Sequence, residues 1–111
     1  MEIYAANQKL TKLLASEKKL IRKHGAKMAA VIMQRIDDLR MCDNLSQVFD
    51  LSGNHHPLVK DRKGTWACHL TGNYRLIYTP ANEPLPLKEN NELIYEQVTE
   101  IIIVDIRVDY H

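Results

Sequence analysis

Apolar positions along this chain follow two different periods, and the change between them divides it. Leu10, Leu13, Leu14, Leu20 and Ile21 recur at helical spacing with Glu17 as a polar interruption. Asn7 is placed to cap such a helix and Gly25 to stop it, so the spacing predicts one helix between them. Met28, Ile32, Ile36 and Leu39, with Val31 beside them, form a second stripe. The connection is short, so the two helices are expected as an antiparallel hairpin. Met1 to Tyr4 reads as a short strand ahead of them. From residue 44 the helical period is lost, and residues 44–54 read as a loop ending in Ser52-Gly53-Asn54. Trp66, Cys68 and Leu70 then alternate with Thr65, Ala67 and His69, as in a strand with one buried face. Thr71-Gly72-Asn73 is turn chemistry. Tyr74 to Thr79 alternates again, with Tyr74, Leu76 and Tyr78 on one side, which predicts a hairpin. Residues 80–96 contain Pro80, Pro84 and Pro86 and read as a long excursion, part strand at Leu93-Ile94-Tyr95. Val98 to Val108 is the last strand. Its centre is apolar on both faces, as expected of an interior strand covered on both sides. Helices followed by a mainly antiparallel sheet make an α+β domain.

Composition narrows the class. The 111 residues suffice for one domain, taken as 1–111, and 45% of them are hydrophobic, as in a globular protein. No apolar run approaches a membrane span, and the first residues do not form a signal peptide. Cys42 and Cys68 have no metal-ligand spacing, so reduced thiols in a cytoplasmic protein are expected. His55, His56 and His111 are the nearest approach to a metal set, and no metal or other cofactor is expected. A Gly-rich phosphate loop, a nucleophilic Ser or Cys motif and a dinucleotide fingerprint are all absent from the sequence. The formal charge of +1 conceals an asymmetry: residues 1–40 carry nine basic and four acidic side chains, whereas residues 81–109 carry two and seven. A positive face suits a polyanion, although the lysines of the first helix also read as an ordinary solvated side.

Three motifs carry a resemblance. His56-Pro57-Leu58 runs into Asp61-Arg62-Lys63-Gly64 and Trp66; Gly72-Asn73-Tyr74-Arg75-Leu76-Ile77-Tyr78 follows; Asp109-Tyr110-His111 ends the sequence. Together they resemble the HigB-type killer toxins of the RelE/ParE toxin–antitoxin superfamily. The resemblance covers the second half by motif and the helical hairpin by layout. It implies an N-terminal helical hairpin packed on a small sheet, with a site on the concave sheet face. It implies a type II toxin that cuts messenger RNA on the ribosome and stops translation. It also implies an antitoxin partner, a HigA-like helix-turn-helix protein, through which alone operator DNA would be met. His56 matches the family histidine, Arg75 the strand arginine, and Asp109, Tyr110 and His111 the terminal trio. The family lysine that follows His-Pro-Leu is replaced by Val59, with Lys60 one position later, and one step along a strand turns a side chain to the opposite face.

Chemistry asks for the same residue types. Metal-free RNA cleavage needs a base for the 2′-hydroxyl, an acid for the leaving 5′-oxygen and cations for the phosphoryl charge. His56 and His111 are the candidate acid and base, with the two roles not divided between them. Tyr110 fits proton transfer or base stacking. Arg75, Lys60, Arg62 and Lys63 are the candidate phosphate contacts, with the arginine fork able to hold two oxygens. Asp109 is placed to orient His111 or Tyr110. Arg75 has a structural alternative, an ion pair to Asp105 or Asp109. His55 reads as a loop histidine, His69 as a solvent-face residue, and Trp66 and Tyr74 as core. Two other functions fit the sequence: a ParE-like toxin that inhibits DNA gyrase without nuclease chemistry, and a non-catalytic relative that only binds the antitoxin.

Overall fold

The computed structural model describes residues 1–59 and 64–108. Strand β1 (Glu2–Ala5) leads into helices α1 (Gln8–Leu14), α2 (Glu17–His24) and α3 (Ala26–Met41). A 3₁₀ turn at Leu45–Asp50 precedes β2 (His56–Pro57), β3 (Trp66–His69) and β4 (Tyr74–Pro80). A second 3₁₀ turn at Tyr95–Gln97 leads to β5 (Glu100–Val108). The sheet order is β1-β5-β4-β3-β2. Only β1 runs parallel to its neighbour, with Ile3 opposite Ile101, so the sheet is mixed and otherwise antiparallel.

The expected first helix is two helices. Asn7 caps α1 as expected, its Oδ1 accepting from Leu10 N at 2.8 Å. The chain then breaks at Ala15-Ser16. Ser16 takes extended dihedrals and its hydroxyl accepts from Lys19 N at 3.1 Å, which starts α2 afresh. Glu17, read as a polar interruption within one helix, is instead the first-turn acid of α2, where it opposes the positive helix end. Gly25 alone joins α2 to α3, at φ +87. In α3 the predicted stripe is the buried one: Met28, Ile32, Ile36 and Leu39 all lie inside, together with Ala29. Each fully buried Leu or Ile contributes roughly 1.5–3 kcal/mol.

This stripe and Leu20 of α2 meet one face of the sheet. Trp66 and Cys68 of β3, Leu76 and Tyr78 of β4, and Ile101 and Ile103 of β5 belong to the same core. The loop expected at 44–54 contributes Leu45 and Val48 to it through its 3₁₀ turn. Tyr74, expected in the core, is 37% exposed and meets the His24 ring edge-on. Strand β5 is interior, between β1 and β4, but Ile102 and Val104 on it are only half-buried.

A β-bulge on β5 explains the mixed pattern of that strand. Tyr78 faces Ile103, yet Ile77 faces Asp105, so Val104 is an extra residue. Odd-numbered Ile101 and Ile103 point to the core before it; even-numbered Ile106 does so after it. A strand that looks apolar on both sides is in part a strand that changes side. The strand expected at 93–95 does not form. Leu87 and Leu93 make one isolated bridge, and Tyr95 begins the 3₁₀ turn.

Candidate functional site

The face of the sheet away from the helices carries two cross-strand rows. Residues directly opposite in a ladder share a face. His56, Ala67, Ile77 and Asp105 therefore form one row from β2 to β5. His69, Arg75 and Arg107 form the next. Ala67 and Ile77 are buried at the centre of this face but stand outside the helix-side core. The polar members around them are all half-buried. Two strands and one row separate His56 from Arg75, roughly 12 Å between Cα atoms. Side chains of their length can converge on one group across that span.

His56 is held in a definite orientation. Its Nδ1 lies 2.8 Å from the carbonyl oxygen of Asn54. A carbonyl only accepts, so Nδ1 carries the proton in the neutral ring and Nε2 keeps the lone pair. This is the tautomer a general base needs. The Gly53-Asn54 turn sets it up, with φ +104 and +51. Gly53 O accepts from His69 N at 2.7 Å, and Arg35 of α3 donates through Nε to His69 O at 2.9 Å. A Cβ on Gly53 would lie 2.5 Å from that Arg35 Nε, so only glycine fits both the dihedral and the space. Helix α3 thus braces the end of β3 and the turn that carries His56.

Arg75 Nη1 lies 2.9 Å from Nε2 and 3.0 Å from Nδ1 of His69. Arginine is a permanent donor, so the imidazole accepts and is neutral at the accepting nitrogen. His69 is therefore half-buried and engaged with Arg75 on this face, where the sequence reading placed it towards solvent. Asp105, one of the two ion-pair partners considered for Arg75, faces Ile77, and the other, Asp109, lies outside the described residues; the residue facing Arg75 is Arg107.

His55 stands in the loop just before β2, as the sequence suggested, but it is buried. It is 2% exposed, and its Nδ1 lies 2.8 Å from the hydroxyl of Tyr78. Its Nε2 is buried with no hydrogen-bond partner among the described residues. Burial, with the Arg35 charge adding to it, pulls its imidazole down to about 4. Burial likewise raises the Tyr78 phenol and pushes the Cys68 thiol up to about 12. These three groups are inert supports of the core at neutral pH.

Of the residues singled out in the sequence, His56 and Arg75 come together on the open face. Lys60, Arg62, Lys63, Asp109, Tyr110 and His111 lie outside the described residues. Arg107, His69, Gly53 and Arg35 were not found by sequence reasoning. Alternation would have put Arg107 and Asp105 on one face, but their alignment with Arg75 depends on the bulge. Among the described residues, no group of His, Cys, Asp and Glu could hold a metal ion, and no helix is long and apolar enough to cross a membrane.

No protein-family model matches the sequence, and no curated protein matches it. Among solved structures the chain is similar to a YoeB/ParE toxin from Agrobacterium tumefaciens. The TM-score is 0.62 at 15% identity, over 99% of this chain and 100% of that one. The α+β fold is of the RelE/ParE type.

Proposed function

We propose that this protein is the toxin of a type II toxin–antitoxin system, a HigB-type endoribonuclease that cleaves messenger RNA on the ribosome and so inhibits translation. The observation that carries the reading is the shared open sheet face of His56 and Arg75, in a fold of the RelE/ParE type. In this reading the 2′-oxygen of a ribose attacks the adjacent phosphorus and the bond to the 5′-oxygen breaks. The products are a cyclic 2′,3′-phosphate and a free 5′-hydroxyl. Nε2 of His56 takes the 2′-proton, since its Nδ1 is committed to Asn54 O. Arg75 stabilises the charge that gathers on the phosphoryl oxygens. We assign the leaving-group proton to His111, its orientation to Asp109, and assistance or base stacking to Tyr110. Lys60, Arg62 and Lys63 are assigned to the RNA backbone. No metal takes part in this scheme.

The solved neighbour bears both names, YoeB and ParE, and the ParE side keeps a gyrase-directed reading alive. An imidazole with a free lone pair on the same open face as a cation favours the nuclease, because binding alone has no use for a proton acceptor. We infer a cytoplasmic location and a helix-turn-helix antitoxin partner, with operator DNA met only through it. Induction in bacteria followed by primer extension on messenger RNA is the test. Growth arrest with new 5′ ends inside translated messages is expected, and Arg75→Ala or His56→Gln should abolish both while the protein stays folded. Continued translation with DNA breaks and lost supercoiling would overturn the nuclease in favour of gyrase.

A further inference from the structure

Strand β5 is longer than the strand that covers it. β1 pairs with it from Glu2 opposite Glu100 to Ala5 opposite Ile103, and Ala6 N makes the last bond, to Ile103 O at 2.9 Å. The chain then turns away into α1. From Val104 to Val108, β5 keeps β4 on one side and has no neighbouring strand on the other among the described residues. The helices do not close this edge. A cavity of about 410 Å³ lies against it at Val104 and Asp105, lined on its far side by Leu10, Leu13 and lysines of α1 and α2. An unpaired edge is a template for another strand. The opposite edge of the sheet is blunted, because β2 has only two residues and one is Pro57. Residues 104–108 contain no proline.

The order of residues along this edge says which strand fits it. Two copies of one edge meet around a two-fold axis and therefore pair antiparallel. With that axis normal to the sheet, both helix layers stay on the same side and odd-numbered residues face odd-numbered ones. Centred on Asp105, the pairing sets two carboxylates face to face. Centred on Arg107, it opposes two guanidinium groups. Centred on Ile106, it sets Asp105 of each copy opposite Arg107 of the other, Ile106 opposite itself and Val104 opposite Val108. Opposite charges across a ladder stabilise it and like charges destabilise it. The Ile106 register is also the one that pairs all five residues. Asp105 and Arg107 are half-buried, and neither makes an ion pair among the described residues. Ile106 packs against the core on the other face. Charges on an edge ordinarily keep other strands away. Here their order, acid then base about one apolar residue, complements a second copy of itself. We propose that a second copy of this chain pairs with the free edge, β5 to β5 about Ile106, and joins the two sheets into one. The row of His69, Arg75 and Arg107 then continues into the second copy's Asp105, so association changes the charge that the open face presents. The pairing needs the fold alone and is independent of the nuclease reading. A contact of five residues per copy makes a weak, concentration-dependent dimer.

Sedimentation velocity of the full chain from low to high micromolar concentration tests the pairing. The mass should rise from one copy to two and stop there, because a two-fold contact is closed. Asp105→Arg and Arg107→Asp should each weaken the dimer by at least about tenfold, since each sets two like-charged pairs across the axis. The double reversal Asp105→Arg with Arg107→Asp should restore it. Circular dichroism and thermal unfolding check that the variants fold. Cysteine cross-linking tests the register without changing a charge. Ile106→Cys should form an intermolecular disulfide under mild oxidation, because its Cα lies roughly 5 Å from its symmetry mate. Val108→Cys, which faces Val104, should not. Cys42 and Cys68 are both buried and stay reduced. If a charge reversal fails to fold, the two cysteine variants decide alone. A chain that stays monomeric throughout overturns the proposal, as does a dimer that survives both single reversals, or equal cross-linking at 106 and 108. Hydrogen exchange separates a different occupant. Amides of residues 104–108 that gain protection only when an antitoxin is added, with one copy of this chain per complex, overturn self-pairing and give the edge to that partner.

Discussion

Acid should unfold this protein through His55, and the size of the effect can be worked out from its surroundings. The side chain is 2% exposed and its Nδ1 is tied to the Tyr78 hydroxyl. Its folded pKa is pulled down from 6.5 to about 4, first by burial and then by the Arg35 charge. The folded state therefore prefers the neutral ring, whereas the unfolded chain takes up a proton near pH 6.5. Above pH 6.5 both states are neutral and nothing is lost. Below it the unfolded state binds the proton first, and stability falls with pH until the folded ring also titrates near 4. Between pH 7.5 and 4.5 this one group should remove about 2.5 kcal/mol, a large part of the stability of a small domain. His24, also lowered by its partial burial, acts with the same sign. The assay is urea unfolding at the two pH values, for the wild type and for His55→Asn. Asparagine keeps a polar atom near the Nδ1 position and does not titrate. It should be less stable at pH 7.5, because it leaves a cavity, but its loss on acidification should be smaller by about 2.5 kcal/mol. Equal acid losses in the two proteins would refute the argument and show that His55 is not the group that senses pH.

Three further outcomes test the frame of the site. Gly53→Ala should cost about 2–3 kcal/mol, since it strains φ +104 and strikes Arg35 Nε; thermal unfolding should show a smaller cost in an Arg35→Ala background, where the clash is gone. Ser16→Ala should cost about 1 kcal/mol and lower the melting temperature by about 4 °C, because it removes the cap that starts α2. Replacing residues 84–92 by a short Gly-containing turn should leave the melting temperature within a few degrees and, under the proposed function, leave messenger RNA cleavage intact while weakening binding to the antitoxin. Asn82 must be kept, because its Oδ1 accepts from Thr99 N and Glu100 N at 2.9 and 3.0 Å and staples the excursion to β5. A shortened protein that folds but no longer cleaves would place that acidic segment in the active complex.

The sequence by itself determined what is local. The stripe of Met28, Ile32, Ile36 and Leu39 fixes which side of α3 is buried, because helical geometry brings those positions onto one face. Thr71-Gly72-Asn73 fixes the hairpin of β3 and β4, because the turn and the alternation on either side agree. His56 and Arg75 could be picked out by motif and chemical type. Even the break at Ser16 was local, a capping hydroxyl followed by a first-turn acid, and it was outweighed by the apolar spacing that runs through it. The tertiary structure decided what depends on partners far along the chain. Pairing of β1 with β5 joins residues nearly a hundred positions apart, and no local pattern encodes its parallel direction. His55 is buried because Tyr78 comes to lie against it from β4. The opposition of Arg75 and Arg107 follows from one extra residue, Val104, in β5. A run of apolar side chains gives no sign of where such a bulge falls. Only the fit of Ile101, Ile103 and Ile106 against the helices decides at which residue the strand changes side, and with it which charges the open face presents.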